Sequence, residues 1–360
     1  MIIGIDGNEA NVKERVGGSW ATYALLVEFY KQVGPNRQFK IFLKSSPLPD
    51  LPAEKKGWHY VVVPKKTVWS QIDLPAALFL KHRNLNVFFS PAHYSPRFCP
   101  CPTVVMVYDL SFFYYPQDFL KKDLYQLLNW TGYSVQKAKT VVAISELTKQ
   151  DLLTCYPIEE NKVRVVYLGF TKPKIAREPL ATSLKEPFFL FLGTLQPRKN
   201  LTTLILAMEK LLLTEKNIHL YIAGRKGWLY QEVEALINKH RLQKQITLTG
   251  YLNEGQKRLL LEKAKALIMP GWYEGFGLPV LEAFSVNTPV ICSNWGSLPE
   301  AAKEAGLYFD PENPNELFKQ MQKLVQDDKL ARDLALKGKT RLKNFSWEKT
   351  AQQVIQILEG

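Results

Sequence analysis

Short apolar runs separated by helix-length segments recur along almost the whole chain, and no other feature limits the fold as much. In the first half the runs are MIIGID (1–6), FKIFLK (39–44), HYVVV (59–63), NVFFS (86–90), TVVMVYD (103–109), TVVAIS (140–145) and VRVVYLG (163–169). Most are continuous rather than alternating, the pattern of strands covered on both faces by helices in a parallel sheet. Helical periodicity fills 19–33, 70–83, 120–138 and 146–155, the last opened by Ser145 as N-cap.

Residues 171–187 hold three prolines and many charges without a period, which is the composition of a linker. The alternation then restarts, with strands at 188–193, 219–224, 246–250, 266–271, 289–293 and 306–310. Helices are expected from about 200 and at 230–241, 254–264 and 279–285, with a charged helical stretch at 313–343. The reading is α/β: a doubly wound domain over 1–170, a linker, and a second over 188–345. An amphipathic helix at 346–360, capped by Ser346, is expected to pack back across the domain junction.

A length of 360 residues suits two domains, and 46% hydrophobic with 22% charged residues excludes wholesale disorder. No apolar run approaches the roughly 20 residues that span a bilayer. The first residues have no signal layout, and we expect a cytoplasmic protein. Cys99, Cys101, Cys155 and Cys292 fit no common zinc spacing and are expected to be reduced thiols that pack as small hydrophobes. The five histidines, His59, His82, His93, His219 and His240, have no metal-ligand spacing either. The net charge of +13 is shared about evenly between the halves and favours polyanions without choosing among them.

In open α/β sheets ligands bind beyond the carboxyl ends of the strands, so the informative residues stand just after them. The strongest segment is MPGWYEGFGLPVLEAF (269–284). Gly275 and Gly277 allow close approach of backbone N–H groups at a helix N-terminus, where a phosphate is favoured. Glu274 in the loop and Glu282 in the helix can each accept hydroxyls, so the segment describes a phosphate flanked by two polyols, a sugar nucleotide. The competing reading makes Glu282 a solvated helix residue and the glycines a plain turn. Arg198 and Lys199 in FLGTLQPRKNL precede the next helix as a candidate diphosphate clamp, or else are solvated charges. Gly17 and Gly18 lie between the first strand and helix, and Asp109 ends a long strand, where it either orients a hydroxyl or caps the following turn. There is no Asp-x-Asp, no P-loop, no nucleophile elbow and no G-x-G-x-x-G.

These residues resemble the retaining glycosyltransferases of family 4, which have the GT-B fold of two facing Rossmann-like domains with an interdomain cleft. The hallmark is E-x7-E, here Glu274-GFGLPVL-Glu282. LGTLQPRKN is similar to the diphosphate-binding loop of mannosyltransferase-like members. IDGNEA with VGGSW, YDLSFFYYP, VVAISELTK, VVYLGF and FSWEKTAQQ follow in the family's order. The resemblance implies that Glu274 holds donor-sugar hydroxyls and Glu282 the ribose. Lys199 and Arg198 neutralise the departing diphosphate. Backbone at Gly275, Phe276, Gly277 and Leu278 contacts the donor, Gly17 and Gly18 face the diphosphate, and Gly250, Tyr251 and Leu252 lie near the base. Three positions depart from the family: Thr194 replaces a frequent Arg, Tyr108 a frequent His, and Phe89-Ser90-Pro91 a frequent His-Ser-Pro.

The implied reaction is transfer of a hexose, mannose favoured, from a nucleoside diphosphate sugar (GDP-mannose favoured) to an acceptor hydroxyl with retention, without metal or cofactor. The expected mechanism is front-face, with Glu274, Lys199, Arg198 and Asp109 as catalytic candidates. A Lys199→Ala variant is expected to lose turnover far more than fold. The acceptor is expected to be a glycan or lipid-linked precursor at an anionic membrane face, suited by the aromatics Phe112, Phe113, Tyr114 and Tyr115. Rival readings are a UDP-glucose or UDP-N-acetylglucosamine transferase, a non-catalytic sugar-nucleotide binder, an epimerase, a dehydrogenase without its glycine fingerprint, and a nucleic-acid binder without a recognised module.

Overall fold

The computed structural model describes the chain except residues 16, 172–175, 181, 182, 226, 228 and 229. It divides into two compact units, Met1–Gly169 with Phe345–Gly360, and Phe170–Asn344.

The first unit runs β1 (Ile2–Asp6), α1 (Gly18–Lys31), β2 (Gln38–Leu43), β3 (Trp58–Val62), α2 (Asp73–Lys81), β4 (Val87–Ser90) and β5 (Thr103–Val107). It continues through α3 (Ser111–Tyr114), α4 (Lys121–Lys137), β6 (Thr140–Ala143), α5 (Glu146–Cys155) and β7 (Val163–Val165). All pairings are parallel and the strand order is β3-β2-β1-β4-β5-β6-β7. The order reverses between β1 and β4. Val104, Val105, Met106 and Val107 are completely buried, as unbroken apolar strands require.

The second unit runs β8 (Phe188–Leu192), α6 (Leu201–Leu211), β9 (His219–Ala223), α7 (Tyr230–Lys239), β10 (Ile246–Gly250) and α8 (Glu254–Lys263). Then follow β11 (Ala266–Met269), α9 (Leu278–Ser285), β12 (Val290–Ser293), α10 (Leu298–Ala302), β13 (Gly306–Phe309), α11 (Pro314–Gln326) and α12 (Asp328–Leu342). Its parallel order is β10-β9-β8-β11-β12-β13, reversing between β8 and β11. The charged helical stretch over 313–343 divides at Asp327, whose carboxylate caps α12 by accepting from Leu330 N.

The final helix, α13 (Trp347–Glu359), belongs to the first unit. Ser346 caps it, Thr350 Oγ1 donates to Tyr167 O at 2.8 Å, and Val354, Ile355 and Leu358 are buried. A Cβ on Gly169 would lie 2.2 Å from Trp347 N, so only glycine admits this approach. Part of the 171–187 segment lies outside the described residues. The part that is described is held to α8: Arg177 pairs with Glu262, and Asn253 Nδ2 donates to Glu178 at 2.7 Å. The proline-rich composition therefore did not reveal a tethered segment. Two short helices, α3 and α10, escaped the periodicity because four or five residues carry less than two turns of pattern.

Candidate functional site

In the second unit the loops after β8 and β11 are tied together at the strands' carboxyl ends. Asn200 adopts a left-handed conformation (φ 53°) at the N-cap of α6, and its Nδ2 donates to Pro270 O (3.1 Å) and Pro311 O (2.7 Å). Trp272 N donates to Arg198 O at 3.0 Å, and Arg198 Nη1 returns a bond to Tyr273 O at 3.1 Å. These backbone ties bring Lys199 to Glu274, which form an ion pair with side chains 11% and 12% exposed. Truncating Lys199 would strand a nearly buried carboxylate, so Lys199→Ala is expected to cost stability as well as turnover.

Glu274 O accepts from Ser297 Oγ at 2.7 Å, fixing the loop to the start of α10. Gly277 is the N-cap of α9 at φ 96°, with Pro279 in the first turn, so the loop turns abruptly into the helix. The backbone of 275–278 leads into that N-terminus, where the first N–H groups lack intrahelical partners. The Phe276 ring is 3% exposed and anchors the loop, leaving its backbone as the part available to a ligand.

Glu282 is not a solvated helix residue. Its Oε1 accepts from Lys257 Nζ at 2.8 Å, and the same ammonium reaches Glu254 at 2.9 Å. Burial raises the Glu282 carboxyl above its ordinary range despite Lys257. Burial also presses on Lys257, but Glu282 and Glu254 outweigh it and leave the amine raised. Along the same end of the sheet, Gly224 N donates to Gly250 O at 2.9 Å, and a Cβ on Gly224 would meet Gly193 O at 1.8 Å. Tyr251 is 57% exposed with the Arg225 guanidinium 4.9 Å from its ring centroid, while Leu252 is buried. Thr194 is exposed.

In the first unit Gly17 opens α1 at φ 52°, and a Cβ there would meet nothing within 4 Å. Gly18 lies against the Tyr108 ring, whose hydroxyl donates to Gly18 O at 3.3 Å. Asp109 Oδ1 accepts from Ser111 N (2.9 Å) and Ser111 Oγ (2.7 Å), so this carboxylate does cap the following turn. The aromatic run is not an exposed cluster. Phe112 is 1% exposed in the core and Tyr115 half-buried; only Phe113 and Tyr114 reach the surface, and Tyr114 Oη donates to Asp151 at 2.7 Å.

Sequence reasoning missed two features here. His93, at φ 47°, stacks obliquely on Tyr108 with centroids 6.0 Å apart, and burial lowers its pKa while Asp109 opposes that. A cavity of about 450 Å³ also opens beside Asp6, Lys44, Lys65, Tyr94, Lys122 and Trp130. The available signal was positional: Asp6 ends the first strand and Lys44 follows the second, where ligands of such sheets gather. Among the described residues, no three His, Cys, Asp or Glu side chains group as a metal site, and no helix is long and apolar enough to cross a membrane.

Residues 173–341 match the family model described as glycosyl transferases group 1. The chain is 28% identical over 285 residues to O-antigen chain mannosyltransferase B of Escherichia coli, covering 75% of this chain and 73% of that protein. Its fold matches sucrose-phosphate synthase from Thermosynechococcus elongatus with a TM-score of 0.76 at 19% identity, covering 99% and 98% of the two chains. It also matches the Anabaena protein HepE, solved with UDP and glucose, with a TM-score of 0.73 at 15% identity over 100% and 99%. Two parallel Rossmann-like sheets and the likeness to these structures give the chain a GT-B-type fold, and its second unit carries the match to the group 1 glycosyl transferases.

Proposed function

We propose that the chain transfers mannose from GDP-mannose to a hydroxyl of a glycan or lipid-linked acceptor, with retention, in the synthesis of a cell-surface polysaccharide. The nearly buried Lys199–Glu274 pair carries this reading. An ammonium and a carboxylate held side by side offer the two halves of a sugar nucleotide their complements, cation for diphosphate and acceptor for sugar hydroxyls. Arriving diphosphate takes over Lys199 Nζ and frees Glu274 for the sugar. Arg198 adds charge from the same turn, the first N–H groups of α9 face the phosphate, and Glu282 takes the ribose by exchange with Lys257. Tyr251, flanked by Arg225, offers an exposed ring to the base.

The bond to the leaving diphosphate breaks as the acceptor oxygen bonds to the same face of the anomeric carbon, and the departing phosphate takes the acceptor's proton. Positive charge placed where negative charge develops lowers that barrier, without a metal or an enzymic nucleophile.

The preference for mannose rests on the Escherichia coli relative, a mannosyltransferase named for the O-antigen chain. HepE with UDP and glucose favours a second reading, a UDP-sugar donor. Calorimetric titration with GDP-mannose, UDP-glucose, UDP-N-acetylglucosamine and NADH, beside a Glu282→Ala variant, separates them. Micromolar binding of GDP-mannose that the variant loses supports the first reading. Preference for a UDP-sugar supports the second, and binding of NADH alone overturns both. We place the protein in the cytoplasm, peripheral to an anionic membrane and without a nucleic-acid partner.

A further inference from the structure

Cys99 and Cys101 lie in the connection between β4 and β5, just before the amino end of β5, whereas Asp109 follows that strand's carboxyl end. Their sulfurs stand 3.6 Å apart, one thiol donating to the other, and both residues are half-buried. Backbone bonds hold the segment on both sides of the pair. Arg97 N donates to Ser70 O at 3.3 Å, Phe98 N to Tyr133 Oη at 3.0 Å, and Phe88 N to Pro102 O at 2.9 Å. Between the thiols, Pro100 fixes its own φ and biases Cys99 toward extended backbone. Both cysteines pack against the cluster of Trp69, Leu74, Leu78 and Phe88, so neither sulfur turns away without leaving that contact.

The other two cysteines are placed differently. Cys292 is completely buried in β12, and burial raises its thiol. Cys155 lies 4.0 Å from Tyr114 Oη, and burial raises it as well. These two fit the role of small hydrophobes. In the pair, the bond from Cys101 holds the Cys99 thiol below its ordinary range despite burial, while the same bond raises Cys101. Cys99 therefore ionises first, steadied by the proton that Cys101 keeps, and the thiolate is the nucleophilic form.

We propose that Cys99 and Cys101 form a thiol–disulfide exchange site whose reaction partner is a small-molecule disulfide. Cys99 Sγ, having given its proton to solvent, attacks one sulfur of the external disulfide and breaks its S–S bond. The expelled thiolate takes up a proton and leaves as a thiol. Cys101 then loses its proton, and its sulfur attacks Cys99 Sγ, breaking the mixed bond and releasing the second thiol. Two protein thiols are oxidised to one disulfide, and the external disulfide is reduced to two thiols. Closure brings the sulfurs from 3.6 Å to roughly 2.0 Å, a side-chain adjustment. Only Pro100 lies between the bridged residues, so the bond removes little loop entropy from the unfolded chain. It is a reversible modification rather than a staple for the fold, and it is independent of the transferase reading.

The test equilibrates the reduced full chain with mixtures of reduced and oxidised glutathione, then alkylates it in denaturant, digests it and maps it by mass. The peptide of residues 98–121 is expected to lose the mass of two hydrogens and to escape alkylation, while Cys155 and Cys292 are alkylated. The bridging constant is expected to exceed that of the urea-unfolded chain by about tenfold or more, because the fold holds the thiols together. Cys101→Ser is expected to stop at a glutathione adduct on Cys99, and Cys99→Ser to gain an adduct on Cys101 about tenfold more slowly. No bridge at any ratio, a bridge to Cys155, to Cys292 or between two chains, or equal constants in the folded and unfolded chain overturns the proposal. So does faster adduct formation on Cys101 than on Cys99. All but the last of these outcomes are read from the wild-type chain, so the test does not depend on how the variants fold.

Discussion

Lys199 and Glu274 lie 75 residues apart in sequence, on loops after different strands, and meet as an ion pair with both side chains almost nine-tenths buried. Their contact depends on backbone bonds made by neighbours rather than on their own attraction: Trp272 N to Arg198 O, and Arg198 Nη1 to Tyr273 O.

Removing one member of such a pair leaves a desolvated charge, which costs about 3–5 kcal/mol. Lys199→Ala and Glu274→Ala are each expected to lower the stability of the second unit by about that amount in urea unfolding. A Lys199→Met/Glu274→Leu double variant is expected to recover most of the loss while remaining inactive. Single variants as stable as wild type would show that the pair is not held in solution.

How far the sequence revealed this site depends on the range of each interaction. Continuous apolar runs such as TVVMV and FFLFL are local, and they gave both sheets to within a residue or two at most strand ends. The E-x7-E segment is local too, so Gly277, Pro279 and Glu282 were found at the loop-to-helix turn. The partners were not found, because they are long-range. Nothing in LGTLQPRKN says that Asn200 will bridge Pro270 and Pro311, and nothing near Glu282 indicates Lys257. The burial of Phe112 within its aromatic run is not legible for the same reason, since it is decided by packing beside Val105 and Val135.

Lys257 holds Glu282 and Glu254 at once. Lys257→Met would leave Glu282 buried without its cation and push an already raised carboxyl further up. A raised carboxyl contributes stability that is present at low pH and lost as pH rises through its folded pKa. The variant is therefore expected to lose more melting temperature at pH 8 than at pH 5. A loss of equal size at both values would place the defect elsewhere.

Apolar side chains beyond those singled out by sequence reach the surface of the first unit. Ile72 is 54% exposed, Leu80 80% and Phe98 69%, with Lys81, Arg83 and Arg97 close by in sequence. Cations beside exposed apolar groups suit an anionic lipid surface. Vesicles containing phosphatidylglycerol are expected to retain the protein at low salt and release it near 1 M salt, roughly a 3 Å Debye length. Leu80→Ser/Phe98→Ser is expected to weaken retention several-fold. Equal retention by neutral vesicles, or none by anionic ones, would count against a peripheral membrane role.

Asp6 gives the sharpest pH test. Burial pushes its carboxyl from 3.8 up to about 6, against the bonds from Asn8 and the pull of Lys44, with Glu9 adding to the rise. Ionising it in the fold is therefore harder than in the unfolded chain. Its contribution to stability is complete below about pH 4 and is lost as pH rises through 6, about 3 kcal/mol at 1.4 kcal/mol per unit. Asp6→Asn keeps an oxygen for Asn8 and removes the charge. The variant is expected to match wild type at pH 4 and to exceed its stability by about 2–3 kcal/mol at pH 8, measured by urea unfolding at both values. Loss of stability at pH 8 would show instead that the carboxylate is stabilised by contacts stronger than those from Asn8 and Lys44.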